Sequence, residues 1–286
     1  MKLEVLGSGG AVTTPKPFCK CSVCVAAREG GPRDSRFGPS VFIHGPDLLI
    51  DTPEEIFQQL NRSSVPSITS CTYSHWHPDH TSGKRIFEAN KDWIGLPPNN
   101  KNTAVYLTEK VAETFEQFLG IKGHLEFLSY SQLISLKVIG NSQEFYLKEY
   151  TIKPVQMNQD YSFGYEIAGQ GKRILIIMDE LKFWEPSDQV LNTKFDLVYL
   201  PLGIMDVNPI TKKRNMDENH PLLEDEQTLC ETLDYVGRLS SARFLLSHIE
   251  EPDEISYEMG IELGKYCSQL TGKNVELAYD TQIVEI

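Results

Sequence analysis

The sequence predicts a layered α/β sandwich, and three observations carry that reading. Short apolar strands occur in both halves of the chain, with helices spaced between them. Several of those strands, again in both halves, end directly in Asp or His. Neither GxGxxG nor GxxxxGK[ST] occurs, so a doubly wound sheet built on a nucleotide phosphate loop has no support.

The 286 residues, 40% of them hydrophobic, suffice for a substantial core. No Pro/Gly/Ser-rich linker, low-complexity run or repeat divides them, so one domain over residues 1–286 is expected. Residues 3–6 read as a strand ending in Gly7-Ser8-Gly9-Gly10, a turn able to approach another backbone or a ligand. Residues 11–39 read as a long loop. Residues 40–44 and 48–51 form a hairpin around Gly45-Pro46-Asp47, and 53–60 a short helix with Glu54 and Glu55 in its first turn. A strand over 68–73 precedes a histidine-rich segment, and 108–119 has helical spacing through Val111, Phe115 and Phe118. Strands follow at 136–139, 144–147, 150–156, 162–167, 173–178 and 195–200. A helix over 222–239, a strand over 243–247, a helix over 254–270 and strands at 275–278 and 281–286 complete the chain.

Net charge is -13, from 40 acidic and 27 basic residues, and the only dense basic cluster is Lys212-Lys213-Arg214. That balance repels a phosphate backbone, so nucleic acid is a disfavoured partner. The start, MKLEVLGSGG, has no basic n-region or long apolar stretch, and no segment approaches the ~18 apolar residues of a membrane span. A soluble, cytoplasmic protein is expected, with no membrane partner and a homodimer as a candidate assembly.

Chemistry concentrates in His75-Trp76-His77-Pro78-Asp79-His80. Residues two apart on an extended segment point to the same side, so His75 and His77 share a space. Pro78 then ends the strand and lets Asp79 and His80 turn back towards it. Polar rings clustered at a strand end are costly without a shared partner, and a metal ion supplies one. A second cluster, Cys19-Lys20-Cys21-Ser22-Val23-Cys24, holds three of the six cysteines. In a reducing compartment three thiolates so close can occupy three corners of a tetrahedral zinc site.

The H-x-H-x-D-H motif resembles the signature of the metallo-β-lactamase superfamily, which implies an αββα sandwich of two mixed β-sheets flanked by helices. Other residues match the family's pattern in order. Asp51, ending Leu48-Leu49-Ile50, resembles its orienting aspartate; Asp179, after Ile174 to Met178, its bridging aspartate; His248, after Phe244 to Ser247, its last metal histidine. The resemblance implies one ion held by His75, His77 and Asp179, and another by Asp79, His80, Asp179 and His248. Imidazole and carboxylate ligands suit Zn, Mn or Fe, with Zn or Mn the expected cofactor. The chain departs from the pattern in one place. A further histidine is expected between residues 156 and 165, and none occurs there. Asn158, Gln159 and Asp160 are the substitutes, only Asp160 carrying charge, so whether one ion or two bind stays open.

The cysteine cluster resembles one branch of the superfamily, that of the phosphoribosyl cyclic phosphate phosphodiesterase of phosphonate breakdown. In that branch a histidine three residues beyond the last active-site histidine completes a structural zinc site, and Glu251 stands there in this chain. The branch also implies that His220, before the helix at 222–239, assists the leaving group, which makes His220, Asp79 and Asp51 the catalytic candidates. The function implied is a metal-dependent phosphodiesterase acting on a small phosphate ester, cyclic esters included, through a metal-bound hydroxide. Alternatives are hydrolysis of a thioester, lactone or RNA, and a non-hydrolytic relative like the B protein of pyrroloquinoline-quinone biosynthesis.

Overall fold

The computed structural model describes residues 1–286. Its strands are β1 (Lys2–Gly7), β2 (Ser40–His44), β3 (Leu48–Ile50), β4 (Ser70–Thr72), β5 (Thr103–Thr108), β6 (Ile134–Ile139), β7 (Phe145–Leu147), β8 (Tyr150–Gln156), β9 (Phe163–Gly169), β10 (Lys172–Ile176), β11 (Leu197–Pro201), β12 (Arg243–Ser247), β13 (Asn274–Leu277) and β14 (Ile283–Glu285). They build two seven-stranded sheets, ordered β14-β1-β2-β3-β4-β5-β6 and β13-β12-β11-β10-β9-β8-β7. Both are mixed. In the first, β1 to β3 pair antiparallel and β3 to β6 parallel. In the second, β7 to β10 pair antiparallel and β10 to β13 parallel. The expected sandwich of two mixed sheets with flanking helices is the architecture found.

Alternation along the second sheet explains why its central strands read as continuous apolar runs. Ile174, Ile176, Leu197, Tyr199 and Leu245 point into the core shared with the first sheet. Their neighbours Leu175, Val198, Leu200, Phe244 and Leu246 point into a second core. That core is closed by α8 (Leu229–Arg238) and α9 (Tyr257–Thr271) through Leu233, Val236, Leu263 and Cys267. Strands covered on both faces cannot alternate with polar residues.

Several expectations are corrected. The loop at 11–39 contains α1 (Ser22–Gly30), which buries Val23, Cys24 and Ala27 on one face behind a Cys21 cap. The helix at 53–60 begins later, as α2 (Ile56–Arg62), and Thr52 before it is held by the backbone of His80 and Gly83. The histidine segment that follows β4 opens α3 (Pro78–Thr81). β5 was not anticipated; it runs straight into Thr108, the cap of α4 (Glu109–Leu119), and α5 (Lys122–Tyr130) follows it. A short α6 (Asp188–Asn192) stands before β11. The helix at 222–239 is two, α7 (Leu222–Asp225) and α8. Ile204 bonds the backbone of Gln227 and Leu229 at the break, and a Thr228–Glu231 capping box restarts the helix. No helix is long and apolar enough to cross a membrane.

Candidate metal centre

The parallel strands of both sheets deliver their C-terminal ends to one place. Asp51 follows β3, Ser74 and His75 follow β4, Asp179 follows β10, and His248 follows β12. The loops are bound together there. Thr52 N–H donates to the His80 carbonyl (2.7 Å), Phe163 N–H to that of Ser74 (2.9 Å), and Ile249 N–H to that of Ser8 (2.9 Å). The Gly7 to Gly10 turn does approach another backbone, and a Cβ on Gly10 would stand 2.7 Å from His248 Nδ1. Asp51, Glu180 and His248 all have positive φ (65°, 59° and 54°), conformations that cost non-glycine residues energy and recur at functional sites.

The side chains form two adjoining sets. His75, His77, Asp179 and Glu180 bring their ligand atoms within 4.8 Å of one another, and so do Asp79, His80 and His248. Asp179 Oδ2 lies against both, 4.0 Å from His75 Nε2, 3.9 Å from His80 Nε2 and 3.4 Å from His248 Nε2. Asp79 Oδ2 stands 3.2 Å from His80 Nε2 and 3.5 Å from His248 Nε2. Asp51 is completely buried. It accepts from Ser74 N–H (2.7 Å), Ser74 Oγ–H (2.6 Å) and His80 Nδ1–H (2.7 Å). It positions His80 and does not itself reach the shared space.

These residues fit metal ions. The Nε2 atoms of His75, His80 and His248 are buried without a hydrogen-bond partner, a cost that a cation would relieve. The Nδ1 atoms of His75 and His80 are meanwhile engaged by Ser74 Oγ and Asp51, which leaves Nε2 free to ligate. Burial, reinforced by the neighbouring imidazoles, holds His75 well below the usual histidine range and so neutral. Burial acts the same way on His248, but Asp179, Asp79 and Glu250 outweigh it and lift the ring to about 9. Burial beside Asp179 and Glu226 raises Glu180 to about 7. Carboxylates crowded at this density create the field into which a divalent cation fits.

Glu180 is the residue that sequence reasoning missed. Its Oε1 lies 3.5 Å from His77 Nδ1, in the space for which a ligand from 156–165 was expected. Asp160 points elsewhere, exposed and paired with Lys110 at 3.4 Å, and Asn158 and Gln159 are also exposed. The only signal was the second acid of Asp179-Glu180. His220 lies apart from these residues. It is exposed, accepts Leu222 N–H at Nδ1 (3.2 Å), and is absent from the walls of the cleft over the metal centre. That cleft, about 290 Å³, is walled instead by Met205, Met216, Leu222, Glu226, Glu250 and Asp253 among others, with no Lys or Arg.

The cysteines make a second centre. Cys19, Cys21, Cys24 and Glu251 gather their ligand atoms within 4.8 Å, with Glu251 Oε1 3.3 Å from Cys24 Sγ and 3.7 Å from Cys21 Sγ. Backbone N–H groups of Lys16, Cys21 and Cys24 donate to the sulfurs, as suits thiolates. All six cysteines are free. Burial, with Glu251 adding to it, pushes the Cys24 thiol up to about 12, so a cation is what would hold it ionised. Three thiolates and a carboxylate suit zinc.

No family model matches the chain. A curated octanoyltransferase of Porphyromonas gingivalis (strain ATCC BAA-308 / W83) is 20% identical over 254 residues, covering 87% of this chain and 46% of that protein. The chain therefore spans about half the length of the curated relative it matches. Among solved structures, a diphosphatase from the PhnP family superposes with a TM-score of 0.69 at 19% identity, over 100% of this chain and 97% of that one. Zn(2+)-bound PqqB from Methylobacterium extorquens gives 0.70 at 15% identity over 100% of both chains. The metallo-beta-lactamase fold protein YhfI from Bacillus subtilis gives 0.66 at 14% identity over 99% of each. The likeness runs through both sheets and their helices, and the chain has the metallo-β-lactamase fold.

Proposed function

We propose that this protein is a metal-dependent hydrolase with two ions in its cleft, and that it cleaves a small phosphodiester. One observation carries the reading: Asp179 Oδ2 lies within 4.0 Å of imidazole nitrogens from both ligand sets, as a shared ligand would. His75, His77, Asp179 and Glu180 would hold one ion, and Asp79, His80, Asp179 and His248 the other. Zinc and manganese both suit the donors. Ions bound there would lower the pKa of water and polarise the bond under attack.

The chain's own residues supply the rest. Asp51 and Ser74 fix the rings of His75 and His80 so that Nε2 is left free towards Asp179. Asp179, lying against both ligand sets, would accept the proton of the attacking water. Glu226, on the cleft wall with its carboxyl raised by burial, takes over the expected part of His220 as proton donor to the leaving oxygen. The absence of Lys and Arg from the walls makes the ions the only positive charge a phosphate would meet, which favours a diester with its single charge over a monoester. The chain also shares its fold with a diphosphatase.

The same acidic walls favour a second reading, hydrolysis of an uncharged ester such as a thioester or lactone. Zn- and Mn-loaded protein incubated with bis-p-nitrophenyl phosphate and with p-nitrophenyl acetate separates the two. Turnover of the diester, lost in His77→Ala and kept in His220→Ala, supports the phosphodiesterase. Turnover of the acetate alone supports the second reading. Metal-loaded protein inert towards both substrates would sink the hydrolase proposal.

A further inference from the structure

We propose that the groove between α9 and β13 binds a small organic anion through the buried guanidinium of Arg36, at a site separate from the metal centre. The groove encloses about 600 Å³, a volume common among small-molecule sites. Tyr257, Gly260 and Lys265 of α9 form one wall, Glu276 and Tyr279 the other, and Arg36 is part of the lining.

Arg36 is only 3% exposed, yet no carboxylate stands within ion-pairing distance. Its Nη1 donates to Ser8 Oγ (3.1 Å) and to the Ala278 carbonyl (2.8 Å), both neutral acceptors. Asp280 is the nearest source of negative charge, with Asp34 next. The oxygens of Asp280 accept from Ser8 N–H, Ser8 Oγ–H and Phe37 N–H rather than from Arg36. A guanidinium taken out of water is normally repaid by a paired carboxylate, and this one is not. Its Nη2 has no acceptor in the protein and sits 3.7 Å from where a Cβ on Gly260 would stand. The glycine keeps the groove open in front of that donor.

The surroundings favour an anion. In a chain of net charge -13, this groove is lined by Arg36 and Lys265 against a single acid, Glu276. Glu276 itself is engaged by Arg243 Nε at 3.2 Å. Arg33 adds further positive charge, with its guanidinium 5.4 Å from the Tyr257 ring and 5.9 Å from the Tyr279 ring. Burial lowers Arg36 to about 10, which still leaves it charged at neutral pH. The ligand class is an oxyanion, carboxylate or phosphate, whose head meets the free donors of Arg36 and whose body packs on the two tyrosine rings.

The test uses the metal-loaded protein with inorganic phosphate and with benzoate, each at millimolar concentration, read by amide hydrogen exchange. Slower exchange at 33–37, 257–268 and 276–282 is expected with at least one anion, and which anion acts identifies the head group. Phosphate on the metal ions would instead protect the 74–80 and 179–180 segments, so the two sites are read apart. A Cβ on Gly260 would meet nothing closer than 3.7 Å, so Gly260→Leu should be accommodated while it fills the groove and improves helix propensity. It should weaken the protection by about tenfold or more, the cost of losing a charged hydrogen bond, and leave hydrolytic turnover unchanged. If neither anion protects those segments, or if Gly260→Leu responds as the parent does, the proposal is overturned.

Discussion

Replacing Asp51 by Asn changes one group and three hydrogen bonds at once. The aspartate is wholly buried and accepts from Ser74 N–H at 2.7 Å, Ser74 Oγ–H at 2.6 Å and His80 Nδ1–H at 2.7 Å. The amide can keep its carbonyl on Ser74 N–H, but it then turns an NH2 towards the other two donors. His80 loses the acceptor that fixes its tautomer, so Nε2 can take the proton and stop being a ligand. A hydrogen bond to a charged acceptor contributes about 1.5–3 kcal/mol, roughly 10- to 150-fold in an equilibrium constant. Outer-sphere partners of metal-binding histidines typically cost about 10- to 100-fold when removed, a matching range. Metal affinity at Asp79, His80 and His248 should therefore fall by about 10- to 100-fold, while the His75, His77, Asp179 and Glu180 set changes less. Competition titration against a chromophoric chelator resolves the two affinities. Parental affinity at both sets in a folded Asp51→Asn protein would refute the assignment of Asp51 as the group that positions His80.

Three further outcomes follow from the same geometry. Glu180→Gln should lose one exchangeable metal equivalent in elemental analysis, while Asp160→Ala, at an exposed residue paired with Lys110, should retain both. If the cysteine cluster holds a metal ion, Glu251→Ala should release it and expose the cluster thiols to a thiol reagent. Glu251→His should keep the metal, because imidazole is as good a fourth ligand as carboxylate. Leu245→Ala removes a side chain that is 1% exposed between the sheets, and denaturant unfolding should show a loss of about 2–5 kcal/mol with metal stoichiometry intact.

Much of the fold was legible because burial writes itself into composition. Ile174 to Met178 and Phe244 to Leu246 are apolar throughout because one set of alternating residues faces the sheet-sheet core and the other faces α8 and α9. The residues just beyond those runs are polar because the strand ends meet the cleft, which is why Asp179 and His248 stood out. Local rules failed where a loop's partners lie far away in sequence. The cysteine cluster is completed by Glu251, and the break between α7 and α8 is held by Ile204; neither partner lies near in the chain.

Glu180 was missed for a more specific reason. Successive side chains on an extended strand point to opposite sides, so if Asp179 faces the ions, a continued strand would aim Glu180 away from them. The positive φ of Glu180 breaks that alternation and returns its carboxylate to His77. No propensity scale anticipates a left-handed glutamate, because such conformations cost energy and persist only where the surroundings impose them. That cost gives the residue a readable consequence. If the left-handed turn serves only to bring the carboxylate to the metal, Glu180→Gly should relieve the strain and stabilise the metal-free protein, yet bind less metal. A glycine variant that is both less stable without metal and unchanged in metal content would mean that the turn serves the fold and that Glu180 is no ligand.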